Sequence, residues 1–213
     1  MKKNTISLLL IAAFTLFSRQ ACAQQYLWDY ITSGTTTQQY PVDVHYNSGY
    51  YYSLHANAGG NIGFVRYDAT TNSITGSAQL SIAGLSLSPV AMVNDVTYSY
   101  ILFNFVETIS GIGVNRYGVS KVDPVAGTIL WTNLLNYPTS SVTVNASDIA
   151  MDAGGNNLYI SGSIQLASGG PLMVYAASMP AATGSLNWQY YYSIPTYSLA
   201  SNNIFFYDNS NIY

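Results

Sequence analysis

The sequence predicts an all-β protein assembled from a repeated four-stranded antiparallel unit. Three observations predict it. Aromatic and β-branched runs alternate with clusters of turn formers, the turn motifs recur at a spacing of about 55 residues, and only 7% of the residues are charged.

Positions 1–23 read as a cleaved secretory signal. Lys2 and Lys3 form a basic start, Ile6 to Phe17 an apolar stretch too short to span a bilayer, and Ala21-Cys22-Ala23 a small-residue cleavage site. The expected product is exported, whether periplasmic, held on the outer surface or secreted, with no membrane span. Cys22 leaves with the signal, so the mature chain has no thiol. The alternative, a lipoprotein retaining Cys22, is disfavoured by Arg19, which stands where that motif prefers leucine. Lys2, Lys3 and Arg19 are removed as well, leaving Arg66, Arg116 and Lys121 against nine acids, a balance of −6. That balance makes nucleic acid and anionic membrane poor partners. Solvation falls to Ser, Thr, Asn and the hydroxyls of 20 tyrosines.

The elements follow in order. Tyr26 to Thr32, "YLWDYIT", reads as an orphan strand around Trp28. A first unit, roughly 41–88, holds strands at Val42 to Tyr46, Tyr50 to Ala56, Ile62 to Tyr67 and Ser73 to Ser81. A second, roughly 89–147, holds Val90 to Asn94, Tyr98 to Glu107, Arg116 to Val122 and Thr128 to Leu134. A third, roughly 148–202, holds Asp148 to Asp152, Leu158 to Gln165, Leu172 to Met179 and Ser185 to Tyr192. A partial unit, 203–213, begins again with "NIFFYDNSNIY". Outside the signal no stretch carries sustained helical periodicity with caps.

Two markers fix the period. The interval from Gly127 to Gly184 equals that from Trp131 to Trp188, and the turn acids Asp68 and Asp123 repeat it almost unchanged. Independently, Asp152 of "MDAGGNNLY" and Asp208 of "YDNSNIY" stand at the same period. In Asp123-Pro-Val-Ala-Gly127 the carboxylate can accept backbone N–H groups, Pro124 presets φ and Gly127 supplies positive φ. Four short strands per unit at this period describe a β-propeller blade, with Trp131 and Trp188 on the last strand packing between blades. The expected fold class is thus a β-propeller with about three complete blades and partial blades at both ends. Rings of this kind take roughly four or more blades, so the expectation is of an incomplete β-propeller domain over 24–213, from a fragment or truncated frame, with strand 26–32 completing a last blade.

"DIAMDAGGNNLYISGS", Asp148 to Ser163, resembles the bacterial β-propeller repeat family, whose pattern is an apolar strand, Asp-x-x-Gly-Asn, and an aromatic strand ending in Gly-Ser or Gly-Thr. "KVDPVAGTILW" resembles the Asp-x-x-Thr-Gly-x-x-x-Trp turn of quinoprotein-type propellers, with Ala126 in place of Thr; Thr183 restores it in the third unit. The resemblance covers roughly 26–213. It implies surface or secreted proteins of Bacteroidetes-like bacteria, often with a C-terminal sorting domain that would lie beyond Tyr213. It brings no catalytic residue.

The search for chemistry yields little. His45 and His55 flank the first hairpin, facing roughly residues 52 and 42, and read as partly buried or surface imidazoles. Asp148 and Asp152 share a strand face at i, i+4, but Asp152 recurs as Asp208 and reads as a turn former. Calcium is the one cation whose ligands are on offer, from Asp152, Asn156 and Asp208, without the acids of a strong site; no other cofactor is expected. Gly111-Ile-Gly113 begins like a dinucleotide fingerprint, yet Arg116 stands at the third glycine. Tyr50 to Tyr52 and Tyr190 to Tyr192 must alternate faces, so Tyr51 and Tyr191 are candidates to stack on a ligand. The expected function is a noncatalytic binding or display module for an extracellular ligand, a glycan or protein. The alternatives are a propeller-type enzyme, quinoprotein dehydrogenase-like or polysaccharide-cleaving, with its active site in missing blades, and a purely structural adhesin.

Overall fold

A computed structural model describes residues 39–71, 73–135 and 141–193, together with the backbone of 207–208 and 211–212. The expected signal, the strand around Trp28 and the Asp208 side chain lie outside the described residues. Described strands are β1 (Gln39–Asn47), β2 (Tyr50–Asn57), β3 (Asn61–Asp68), β4 (Ser73–Leu80), β5 (Leu87–Asn94), β6 (Ser99–Ile109) and β7 (Ile112–Asp123). They continue with β8 (Thr128–Leu135), β9 (Thr143–Met151), β10 (Asn157–Gln165), β11 (Met173–Pro180) and β12 (Trp188–Tyr192). A short pair, β13 (Tyr207–Asp208) and β14 (Asn211–Ile212), completes the series. β1–β4, β5–β8 and β9–β12 form three four-stranded antiparallel sheets, each in sequential order; we call them the first, second and third sheets. The fold is all-β. Among the described residues there is no helix, hence none long and apolar enough to cross a membrane.

Strand positions follow the turn chemistry. β9 begins at Thr143, ahead of the expected Asp148, because Val144 and Ala146 alternate into the core. β12 begins late, at Trp188. Pro180 to Gly184 close a turn through Gly184 N–H to Pro180 O (2.8 Å), and Asn187 N–H still reaches back to Ser178 O (2.8 Å) before the ladder starts.

The repeat is also written in the register. β3–β4 shifts between Arg66 and Tyr67 and β7–β8 between Lys121 and Val122, bulging Thr75 and Leu130. Those two bulges stand at the same interval as the turn acids Asp68 and Asp123. Each first strand carries a bulge of its own, at Val42, Val90 and Ser147. Such an insertion swings the following side chains to the other face and sharpens twist.

The middle of β6 is buried on both faces, which is why "YILFNFV" is apolar at every position but Asn104. Ile101, Phe103 and Phe105 pack with Leu54, Ile62 and Phe64 of the first sheet. Tyr100, Leu102, Tyr117 and Val119 pack with Ile160, Tyr175 and Ala177 of the third. The Tyr117 and Tyr175 hydroxyls meet at 2.7 Å across that second boundary. The first strands of neighbouring sheets are joined by single side chains. Asp43 Oδ2 accepts Met92 N–H (2.9 Å), and Asn47 Nδ2 donates to Asp95 O (3.0 Å). Asn104 of β6 clamps Ala146 of β9 twice, donating to its carbonyl (3.0 Å) and accepting from its N–H (2.9 Å).

Candidate functional site

One packing relation occurs twice. The β7–β8 turn rests on β4, and the β11–β12 turn rests on β8. Gly127 and Gly184, both with φ of 66°, lie against these preceding strands, Gly127 beside the Ser77 carbonyl and Gly184 beneath the Trp131 indole. One repeat period before Trp131, the corresponding position on β4 is Gly76, and a side chain there would run into the Pro124 carbonyl. The first boundary therefore closes backbone on backbone. At the second, Trp131 stands between strand and turn, its ring 6.2 Å from that of Tyr100, while Asn133 Nδ2 donates to Gly184 O. Trp188 repeats the arrangement on the far face of the third sheet, 6.3 Å from Tyr159.

Cations follow the same period. Arg66 pairs with Tyr52 across β2–β3 and stacks on Tyr50 at 3.5 Å; Lys121 pairs with Tyr100 and lies 4.0 Å from the Tyr98 ring and 5.3 Å from that of Tyr100. At the first boundary the cation is a packing element. At the second it lines a cleft of about 300 Å³ between the β5–β6 turn and the β9–β10 and β11–β12 turns. Asp95, Val96 and Tyr98 form one wall, Gly155, Asn156 and Ala182 the other. Lys121 Nζ makes one long hydrogen bond, 3.5 Å to Ala181 O. Asp95 is engaged on both oxygens: Oδ1 accepts Thr97 and Tyr98 N–H (both 2.6 Å), and Oδ2 accepts the Tyr100 hydroxyl (2.9 Å). Burial, then that acceptor, push the Tyr100 phenol well above its ordinary range. Sequence reasoning missed this cleft, although the spacing of Arg66 and Lys121, equal to the turn period, was a readable signal.

The other acids are engaged too. Asp68 accepts Thr70 (2.7 Å) and Thr71 (2.9 Å) N–H, and Asp123 accepts Val125 and Ala126 N–H (both 2.9 Å). Asp148 accepts Ile149 N–H (2.8 Å), and Glu107 pairs with the fully buried Arg116 at 3.3 Å. Asp152 Oδ1 accepts Asn156 N–H and Oδ2 accepts Asn157 Nδ2, both at 2.7 Å. The calcium candidates Asp152 and Asn156 sit in one turn, joined by the first of those hydrogen bonds. Among the described residues no group of three His, Cys, Asp or Glu lies together as metal ligands.

The two histidines separate, as expected. His45 pairs with Tyr52, and its Nε2 lies 3.1 Å from Asp43 Oδ2. That hydrogen bond, with the charges of Asp43 and Asp148, raises the His45 pKa against partial burial. Asp43 is lowered, its hydrogen bonds to His45 and Met92 outweighing desolvation, the largest single influence. His55 faces Pro41 rather than residue 42, because Val42 is the bulge. Contrary to the reading of a partly exposed ring, His55 is 4% exposed and lies flat over Gly63, where any side chain would collide with it. Desolvation drops its pKa to about 4.

Of the tyrosine candidates, Tyr51 does point away from the second sheet but is half-buried, packed on Tyr67 with its ring 5.1 Å from Tyr46. Tyr191 is exposed and shares the face of Tyr175; its neighbours Tyr190 and Tyr192, on the opposite face, are also exposed, and Tyr190 lies 5.3 Å from Trp188.

No protein-family model and no curated protein matches the chain. Among solved structures it is similar to the C-terminal domain of YpeB from Bacillus megaterium at 11% identity, covering 82% of this chain and 97% of that chain, with a TM-score of 0.20. At that score the likeness carries no argument about fold or function.

Proposed function

We propose that the chain is part of an exported β-propeller, secreted or held at the cell surface, that binds or displays an extracellular ligand without chemistry of its own. The propeller reading is supported by the twice-repeated packing of a Gly-ended turn on the preceding fourth strand, with matching bulges and stacked cations. The observation that carries the binding reading is the division of labour among side chains. Every acid whose side chain is described accepts a hydrogen bond within the fold, whereas Tyr40, Tyr46, Tyr190 and Tyr192 are each more than half exposed. Exposed tyrosines offer rigid contact area at small entropic cost.

An array of glycans and matrix proteins, probed with the wild-type chain and with Tyr190→Ala/Tyr192→Ala, tests this. Binding that the double variant weakens supports the reading. Absence of binding by the wild type favours a structural adhesin, and turnover of any arrayed polymer favours an enzyme.

A further inference from the structure

We infer that the cleft between the second and third sheets binds the carboxylate of an acidic sugar unit, a hexuronate, with Lys121 as its counter-ion. The inference rests on the binding-module reading and names a ligand class for it. Lys121 is the only lysine of the described residues, and it has no ion-pair partner there: the pairs present are His45–Asp43 and Arg116–Glu107. The neighbouring carboxylate, Asp95, commits its oxygens to two backbone N–H groups and a phenol. The rings of Tyr98 and Tyr100 hold the ammonium by its charge, and Ala181 O takes one donor at the limit of hydrogen-bond length. A partly buried ammonium with donors to spare calls for an anion.

The remaining wall narrows the class. One cation and no arginine fork suit a monoanion better than a phosphate, which takes several donors. A volume of about 300 Å³ is at the small end for ligand sites, the scale of a single ring rather than a lipid chain. Thr97 and Asn156, both exposed at the rim, present a hydroxyl and an amide to ring hydroxyls, and the exposed Ala182 presents apolar surface to ring carbons. The same cation at the first boundary has no such role. There Gly76 lets the Pro124 turn close onto β4 and Arg66 lies flat on Tyr50, whereas Trp131 stands in the corresponding place at the second boundary.

Titration calorimetry of the full chain at neutral pH, with digalacturonate and its methyl ester as probes, tests the assignment. Digalacturonate binds, and Lys121→Met, which keeps the stem over Tyr98, weakens binding by about tenfold or more, as does esterification. Lys121→Arg restores binding in part. Val96→Glu, at a rim position 88% exposed, places a second negative charge at the mouth and weakens binding without touching the core. Equal affinity for acid and ester, or affinity unchanged in both Lys121→Met and Val96→Glu, overturns the assignment. So does an absence of heat with digalacturonate and diglucuronate up to their solubility. If the wild type and Lys121→Met bind neutral glycans equally, the cleft assignment fails while the binding-module reading survives. If digalacturonate binds through Lys121 and is cleaved, the cleft stands and the noncatalytic reading fails.

Discussion

Protonation of His55 is incompatible with the place the ring occupies, and this sets an acid limit on the fold. The imidazole is 4% exposed and its Nδ1 has no hydrogen-bond partner, so an added charge has nothing to solvate it. Its pKa is about 4 in the folded protein against an ordinary 6.5. Between those values the unfolded chain binds the proton and the folded one does not, so stability falls as pH falls through this window. Linkage gives a loss of about 2 kcal/mol between about pH 7.5 and about pH 5, rising to about 3 kcal/mol once both states are protonated. Above pH 6.5 His45 partly offsets this, because its raised pKa adds stability as pH falls through the folded value; that contribution is complete below 6.5, where the His55 loss stands alone. Urea unfolding followed by Trp131 and Trp188 fluorescence measures the effect as a midpoint drop of about 1 M, for a slope of about 2 kcal/mol/M. His55→Phe keeps a flat ring over Gly63 and removes the titration, so its midpoint should not fall over the same interval. Parallel pH dependences in the two proteins would refute the account.

Gly184→Ala combines a strained φ with a collision against the Trp131 ring and should cost about 2–3 kcal/mol in thermal melts. Gly169→Ala, also at positive φ but with open space around it, should cost only about 1 kcal/mol, and the difference reports the turn-on-strand packing. Asn104→Ala leaves both backbone groups of Ala146 unpartnered; a loss of about 2 kcal/mol and faster amide exchange at Ala146 are expected, and unchanged exchange would sink the clamp. His45→Gln should abolish the component of stability that the wild type loses as pH rises above 6.5, measured by urea midpoints across that range.

Much of the architecture was legible because turn chemistry is local. Asp68, Asp123 and Asp152 accept N–H groups from their own turns, and Gly127 and Gly184 adopt the positive φ that their spacing announced. The bulges were not legible: Thr75, Leu130 and Val90 are ordinary strand residues, and only pairing to a partner strand reveals one residue too many. Nor was the fate of His55, which depends on Gly63, its partner across a hairpin. The cleft needed more still, since it exists only through the different fillings of one repeat position, Gly76 and Trp131.

Arg66, Arg116 and Lys121, the only lysine or arginine residues described, lie within β3 and β7, Arg66 and Lys121 paired with strands on both sides and Arg116 with Phe105 of β6. A protease that cuts after basic residues must draw an extended segment into its active site, and here every such segment is stitched into a sheet. The folded region offers such an enzyme no entry. Cleavage at any of the three therefore records a moment when a sheet has come apart, so the chain carries its own unfolding clock. At these three sites the chain resists trypsin-like enzymes for as long as its sheets hold.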